Sequence, residues 1–168
     1  YPNPLSAREI STIRETGITR IEITGIRSPQ GFDFGSRSQI SEIKTACRNE
    51  GVSVVSVHGP SLSYDSEDET ERQLAVANGV IATKVAEEFE AGVIVFHFGT
   101  NKCAERSVSE VIQQTEGSTV KLAVENGKDL KDYMGIVDRI GSDRFGMVVD
   151  IGHTRDTEGV NPFTKVNA

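Results

Sequence analysis

Cysteine is scarce in this chain, and basic residues are outnumbered by acidic ones. Cys47 and Cys103 are the two cysteines among 168 residues, too few and too unpatterned for a disulfide framework. Eighteen Lys and Arg stand against twenty-five Asp and Glu, a formal net charge of −7. No cluster of Lys and Arg interrupts that balance. This argues against a polyanionic partner such as DNA, because phosphate contacts need gathered cations. No apolar run approaches the length that spans a membrane, and the first residues lack a basic-then-apolar signal pattern. The expectation is therefore a cytoplasmic protein that engages neither nucleic acid nor membrane. No GxGxxG follows the first strand-like segment, so a dinucleotide fold has no positive support. What is present, 36% hydrophobic and 26% charged residues, suits one soluble globular domain over 1–168 with a real core.

Helix and strand signals alternate along the chain. Ser6 with Glu9 three residues on reads as a capping box, followed by Ile10 and Ile13 on one face and a stop at Gly17. Residues 18–25 (ITRIEITG) form a strand by their β-branched content. A Gly/Ser/Pro-rich loop leads to a helix over 38–50 that buries Ile40, Ile43, Ala46 and Cys47 and stops at Gly51. Strands are then expected at 52–60, 93–99, 118–127 and 145–153. Helices are expected at 67–90 (closed by Gly92), 107–116 and 128–140 (closed by Gly141), and Asn161-Pro162 reads as the start of another. Repeated βα units imply a parallel sheet covered by helices. An open doubly wound sheet and a closed eight-stranded barrel both satisfy that pattern.

The strand ends separate the two. Side chains alternate with period two along a strand. In VSVVSVH, His58 then shares a face with Ser56 and Val54; in VIVFHF, His97 goes with Val95 and Val93. Glu125 goes with Ala123 and Lys121, Asp150 with Val148 and Gly146, and Glu22 with Arg20. The large apolar residues gather on the opposite face, where helices would cover them. The first face ends in an ionisable group on every strand, which a barrel requires of its active mouth and an open sheet would scatter.

Each residue also has a plain structural reading. A lone His closing a strand is more often a hydrogen-bonded structural residue than a ligand, and a lone Asp such as Asp150 can cap the next helix. Glu22 can pair with Arg20 or another cation, and Lys121, deeper in the strand, reads as half of a structural pair in the barrel floor. Recurrence tips the balance: His58, His97, Glu125 and then Asp150-x-x-His153 all close strands. Burying several such groups without partners is costly, and a divalent cation is the simplest common partner. Imidazole and carboxylate together suit Zn, Mn, Fe or Co.

VHGP (57–60), VFHFG (95–99), LAVENG (122–127) and VVDIGHT (148–154) resemble successive strand ends of the xylose-isomerase-like barrel superfamily. That superfamily holds sugar and sugar-phosphate isomerases and epimerases together with AP endonucleases. The resemblance runs from about Ala7 to Phe163, and its more specific part is ENG followed some two dozen residues later by DIGH. It implies a TIM (β/α)8 barrel seen in part, strands two to six. The first strand, a seventh with a metal-binding His and an eighth with a ligand Glu find no counterpart, so the chain reads as an internal piece of a roughly 250-residue barrel. Such a piece would leave sheet edges open to self-association, hence a possible homo-oligomer.

By the same resemblance, Glu125 and Asp150 are metal ligands, with a divalent metal such as Mn, Zn, Mg or Co. Glu125 doubles as the catalytic acid/base, and His58, His97 and His153 contact substrate, a small sugar or sugar phosphate; Glu22 joins them from its strand-end position alone. The expected chemistry is isomerisation or epimerisation by proton transfer next to a carbonyl. One alternative is an AP endonuclease-type metal-dependent phosphodiesterase using His58, His97, Glu125, Asp150 and His153 as a metal cluster, against which the −7 charge stands. Another is a non-catalytic sugar-binding barrel.

Overall fold

In the computed structural model, residues 5–28, 31–127, 130–150 and 152–153 are described. Helices and strands alternate: α1 (Ala7–Glu15), β1 (Arg20–Thr24), α2 (Arg37–Glu50), β2 (Ser53–His58), α3 (Glu69–Glu88), β3 (Val93–Phe96), α4 (Lys102–Gln114), β4 (Lys121–Glu125), α5 (Leu130–Ile140) and β5 (Phe145–Val148). The five strands are all parallel and lie in chain order, β1-β2-β3-β4-β5. A doubly wound sheet reverses its order at a switch point. This one never does, and its singly wound progression is that of a partial (β/α)8 barrel.

Local chemistry explains most boundaries. The Ser6 hydroxyl and backbone N–H both bond the Glu9 carboxylate, completing the capping box of α1. Gly17 (φ +85°) and Gly51 (φ +65°) turn left-handed just beyond α1 and α2, a conformation that glycine adopts without cost. The corresponding turn after α3 is made by Glu90 (φ 59°) and not by Gly92, whose φ is not positive. α4 starts five residues earlier than 107, because Asn101 Oδ1 accepts from Ala104 N–H (2.9 Å) and caps it. The segment at 161–162 read as a helix start lies outside the described residues. Among the described residues no helix is long and apolar enough to cross a membrane.

The core lies between the sheet's outer face and the helices. Ile23, Val57, Ile94, Phe96, Leu122 and Val124 from the strands meet Ile10, Ile40, Ile43, Val76, Val111 and Ile136 from the helices, all buried. At its centre Tyr64, Phe96 and Phe98 pack ring against ring, with centroids 4.6–5.5 Å apart.

One strand departs from simple alternation. Ile21 pairs with Val54 but Glu22 pairs with Ser56, so Val55 is an additional residue in β2, a β-bulge. The bulge changes parity. Val54 and Val57 both enter the helix-side core, so Val54 does not share a face with His58 as strict alternation predicts, while Ser56 and His58 stay on the inner face. Lys121, read as a buried structural pair, is exposed and makes no ion pair among the described residues.

Candidate active site and metal-ligand cluster

The inner face ends in a cleft of about 440 Å³ lined by Glu22, Ile26, His58, Val95, His97, Glu125, Val148, Asp150 and His153. In-register pairing produces this convergence. Ser56, Val93 and Lys121 stand side by side across β2, β3 and β4, as do His58, Val95 and Ala123, and Glu125 sits beside Val148. Two residues further along β3 and β5, beyond the ladders, come His97 and Asp150. Both strands are therefore shorter than their apolar runs suggest, and His153 stands in a helical turn after β5 instead of on it.

Glu125 is the centre. Its side chain is 8% exposed, while those of His97, Asp150 and His153 are 35–41% exposed around it. His58 Nε2 lies 2.8 Å from Oε2, His97 Nε2 lies 3.3 Å from the same oxygen, and His153 Nδ1 lies 3.3 Å from Oε1. The His58 and His97 rings stack with centroids 4.9 Å apart. A buried carboxylate is tolerated here because His58 hydrogen-bonds it and two further imidazoles stand within 3.3 Å.

Two groups of donor atoms, each within 4.8 Å of one another, result: His58, His97 and Glu125, and Glu125, Asp150 and His153. Glu125 belongs to both. Imidazole and carboxylate donors gathered this closely match the ligand set of Zn, Mn or Co, so the residues fit a divalent cation. The electrostatics agree with that use. Burial holds His97 below the ordinary histidine value, against the pull of Glu125, which keeps its ring neutral and its lone pair available. Asp150 is held below the usual carboxylate range, chiefly by the Gly152 N–H (2.6 Å), so it stays ionised.

All six residues singled out from the sequence thus line one cleft, but not equally. Glu22 belongs to neither donor group; it is exposed and accepts from Ser56 Oγ at 2.6 Å, with no Arg20 ion pair among the described residues. Asn126 went unnoticed. It is 1% exposed and hydrogen-bonded to Asp150. Its only sequence signal is its place in ENG, and period two turns it away from the face on which Glu125 lies. A larger groove of about 950 Å³ lies between α2 and α3, lined by Arg20, Lys44 and Arg48 among others; neither donor group lies in it.

Among curated proteins no sequence matches this chain significantly. Solved structures do. The 3-keto-D-glucoside 4-epimerase from E. coli aligns with TM-score 0.74 at 16% identity over 92% of this chain and 66% of its own. The D-allulose 3-epimerase from Methylomonas sp., in complex with D-allulose, aligns with TM-score 0.73 at 12% identity over 95% of this chain and 62% of its own. A xylose isomerase-like TIM barrel protein from Mycobacterium smegmatis, in complex with magnesium, aligns with TM-score 0.69 at 18% identity over 88% and 56%. The chain therefore spans about three-fifths of the length of these structures, and identities this low carry the fold alone. Residues 10–167 match the family described as Xylose isomerase-like TIM barrel. With the singly wound sheet and the strand-end cluster, this places the chain in the xylose isomerase-like TIM barrel family.

Proposed function

We propose that this chain forms the core of a divalent-metal-dependent sugar or sugar-phosphate isomerase or epimerase that moves a proton next to a carbonyl. The observation that carries the reading is the buried Glu125 carboxylate, contacted by His58, His97 and His153 and flanked by Asp150 at the mouth of the inner face. Structures of the same fold named as sugar epimerases support it. So does the magnesium complex, for the metal.

Glu125 and Asp150 would hold the cation, with His153 completing their donor group. When bound, the cation polarises a carbonyl and its neighbouring hydroxyl, lowering the pKa of the adjacent C–H. Glu125 takes that proton and, in isomerisation, returns it to the neighbouring carbon; epimerisation needs a second acid on the opposite face of the sugar to deliver the replacement proton. His58, at 2.8 Å, fixes the orientation of the carboxylate. The neutral His97 and the partly exposed His153 and Glu22 offer donors and acceptors to sugar hydroxyls. Ile26, Val95 and Val148 give the cleft an apolar floor that raises the strength of every polar contact above it.

The test is deuterium exchange. Metal-loaded protein is incubated with D-fructose or D-allulose in D2O, and NMR follows label at the carbons flanking the carbonyl. Exchange that needs Mn and disappears in Glu125→Gln is expected. No exchange across a panel of ketoses and their phosphates would sink the proposal.

A second reading is favoured by one specific feature. Glu125 joins two donor groups, and a bridging carboxylate is what a pair of cations needs to activate water for phosphodiester hydrolysis. The −7 charge opposes a DNA substrate. Efficient nicking of a duplex carrying an abasic site would reverse the ranking.

A further inference from the structure

Asn126 follows Glu125 at the end of β4, yet its amide works on β5. The β5 ladder stops at Val148, whose carbonyl accepts from the Asn126 N–H at 3.2 Å. Beyond that point the side chain takes over. Asn126 Oδ1 accepts from the Asp150 N–H at 2.5 Å, and Nδ2 donates to the carbonyls of Asp150 and Gly127, each at 3.3 Å. The amide orientation is dictated, because a backbone N–H can only donate and a carbonyl can only accept. The Asn126 carbonyl in turn accepts from His153 Nδ1 at 2.9 Å. That contact needs the proton on Nδ1 and leaves the lone pair of the neutral ring on Nε2, which is 3.8 Å from Asp150 Oδ2. A backbone carbonyl on the far nitrogen is how metal-binding imidazoles are oriented and their tautomer chosen. None of these bonds reaches His58 or His97.

We infer that Asn126 is a positioning residue for one donor group only: its side-chain amide holds the Asp150 backbone, and so brings His153 onto the Asn126 carbonyl that sets its tautomer, leaving the His58 and His97 pair to other supports. The inference rests on the metal-site reading for its consequence but not for its geometry. The buried amide is otherwise hard to account for, since a polar side chain 1% exposed is retained only where its bonds are made.

The test compares wild type, Asn126→Leu, which removes every amide bond, and Asn126→Asp, which keeps the acceptor for Asp150 N–H and loses the Nδ2 donor. Long-range 15N–1H NMR of metal-free protein reads the tautomer of each histidine, and calorimetry with Mn2+ reads affinity. In wild type His153 should carry its proton on Nδ1. Asn126→Leu keeps the backbone carbonyl but frees the Asp150 segment that carries His153 to it, so the Nδ1 preference should weaken and Mn2+ affinity should fall roughly 10- to 100-fold. Asn126→Asp should lie between, with His58 and His97 signals unmoved in both. If Asn126→Leu does not fold, Asn126→Asp decides. The inference fails if both variants keep the His153 tautomer and hold Mn2+ within twofold of wild type. It fails equally if all three histidines shift together, which is general loosening. Wild type that binds no Mn2+ but shows the His153-specific response overturns the metal reading and upholds the positioning role.

Discussion

Gly59 offers a sharp test of how the site is anchored to the core. A Cβ built there would lie 2.4 and 2.5 Å from Phe96 Cε1 and Cδ1, about an ångström inside ordinary contact. Phe96 is 0% exposed and is held between Tyr64 and Phe98, at 5.5 and 4.9 Å between centroids, so the ring has nowhere to go. The backbone must yield instead. Gly59 N–H donates to the Val95 carbonyl and the His58 carbonyl accepts from Gly25 N–H, each at 2.7 Å, so any shift is passed to His58. Overpacking of this kind costs about 1–3 kcal/mol. Gly92 is the control: a Cβ there meets nothing within 4 Å and its φ is not positive. Gly92→Ala should therefore show only the smaller entropy of the unfolded chain, stabilising by about 0.4–1 kcal/mol. For a chain of this length each kcal/mol moves Tm by about 2–4 °C, so calorimetry and urea titration should separate the two variants by several degrees in opposite directions. Gly59→Ala should also weaken Mn2+ binding. Equal stability of the two alanine variants would refute the argument that the ring is immovable.

Removing the charge of Glu125 should be the costliest change at the site. Glu125→Gln is expected to lower turnover by about 10²- to 10⁴-fold and His58→Gln by about 10- to 100-fold, and comparable modest losses would remove Glu125 from the acid/base role. Mn2+ at a hundred times its Kd should stabilise the fold by about 2.7 kcal/mol; EDTA should reverse this, and Glu125→Gln should abolish it in thermal melts. Hydrogen bonds from Arg72 and Gln73 hold the Glu69 carboxyl down to about 2, from an ordinary 4.5. With the folded value depressed, its contribution is complete above the unfolded value and is lost as pH falls from about 4.5 through 2. Urea midpoints between pH 6 and 3 should therefore decline less steeply in Glu69→Gln, and less steeply in high salt, because the Glu69 end of the pair is exposed.

Much of the molecule can be read from residues alone, because local rules carry it. The Ser6/Glu9 box, the glycines beyond α1 and α2 and the spacing of Ile40, Ile43 and Cys47 settle helices through contacts a few residues apart. Period-two alternation is nearly as local, and it put Glu22, His97, Glu125 and Asp150 on one face before any pairing was known. It failed at Val54, because a bulge is a property of two strands: the extra residue in β2 is defined only against β1. α4 begins at Lys102 and not at 107, because the Asn101 side chain caps it. Strand ends were overextended, because an apolar run continues to His97 and Asp150 while the ladders stop earlier.

Ionisable groups closing every strand on one face already point to a barrel over a doubly wound sheet, and the order of strands, a purely tertiary fact that periodicity does not contain, agrees. The site divides in the same way. Which residues gather at the cleft was legible, since ionisable groups close successive strands on one face. That three imidazoles meet on Glu125, that this carboxylate joins two donor groups, and that Asn126 clamps the second of them are decided by chain brought together from segments up to 67 residues apart. Distances across a sheet depend on register and twist, which no single segment encodes.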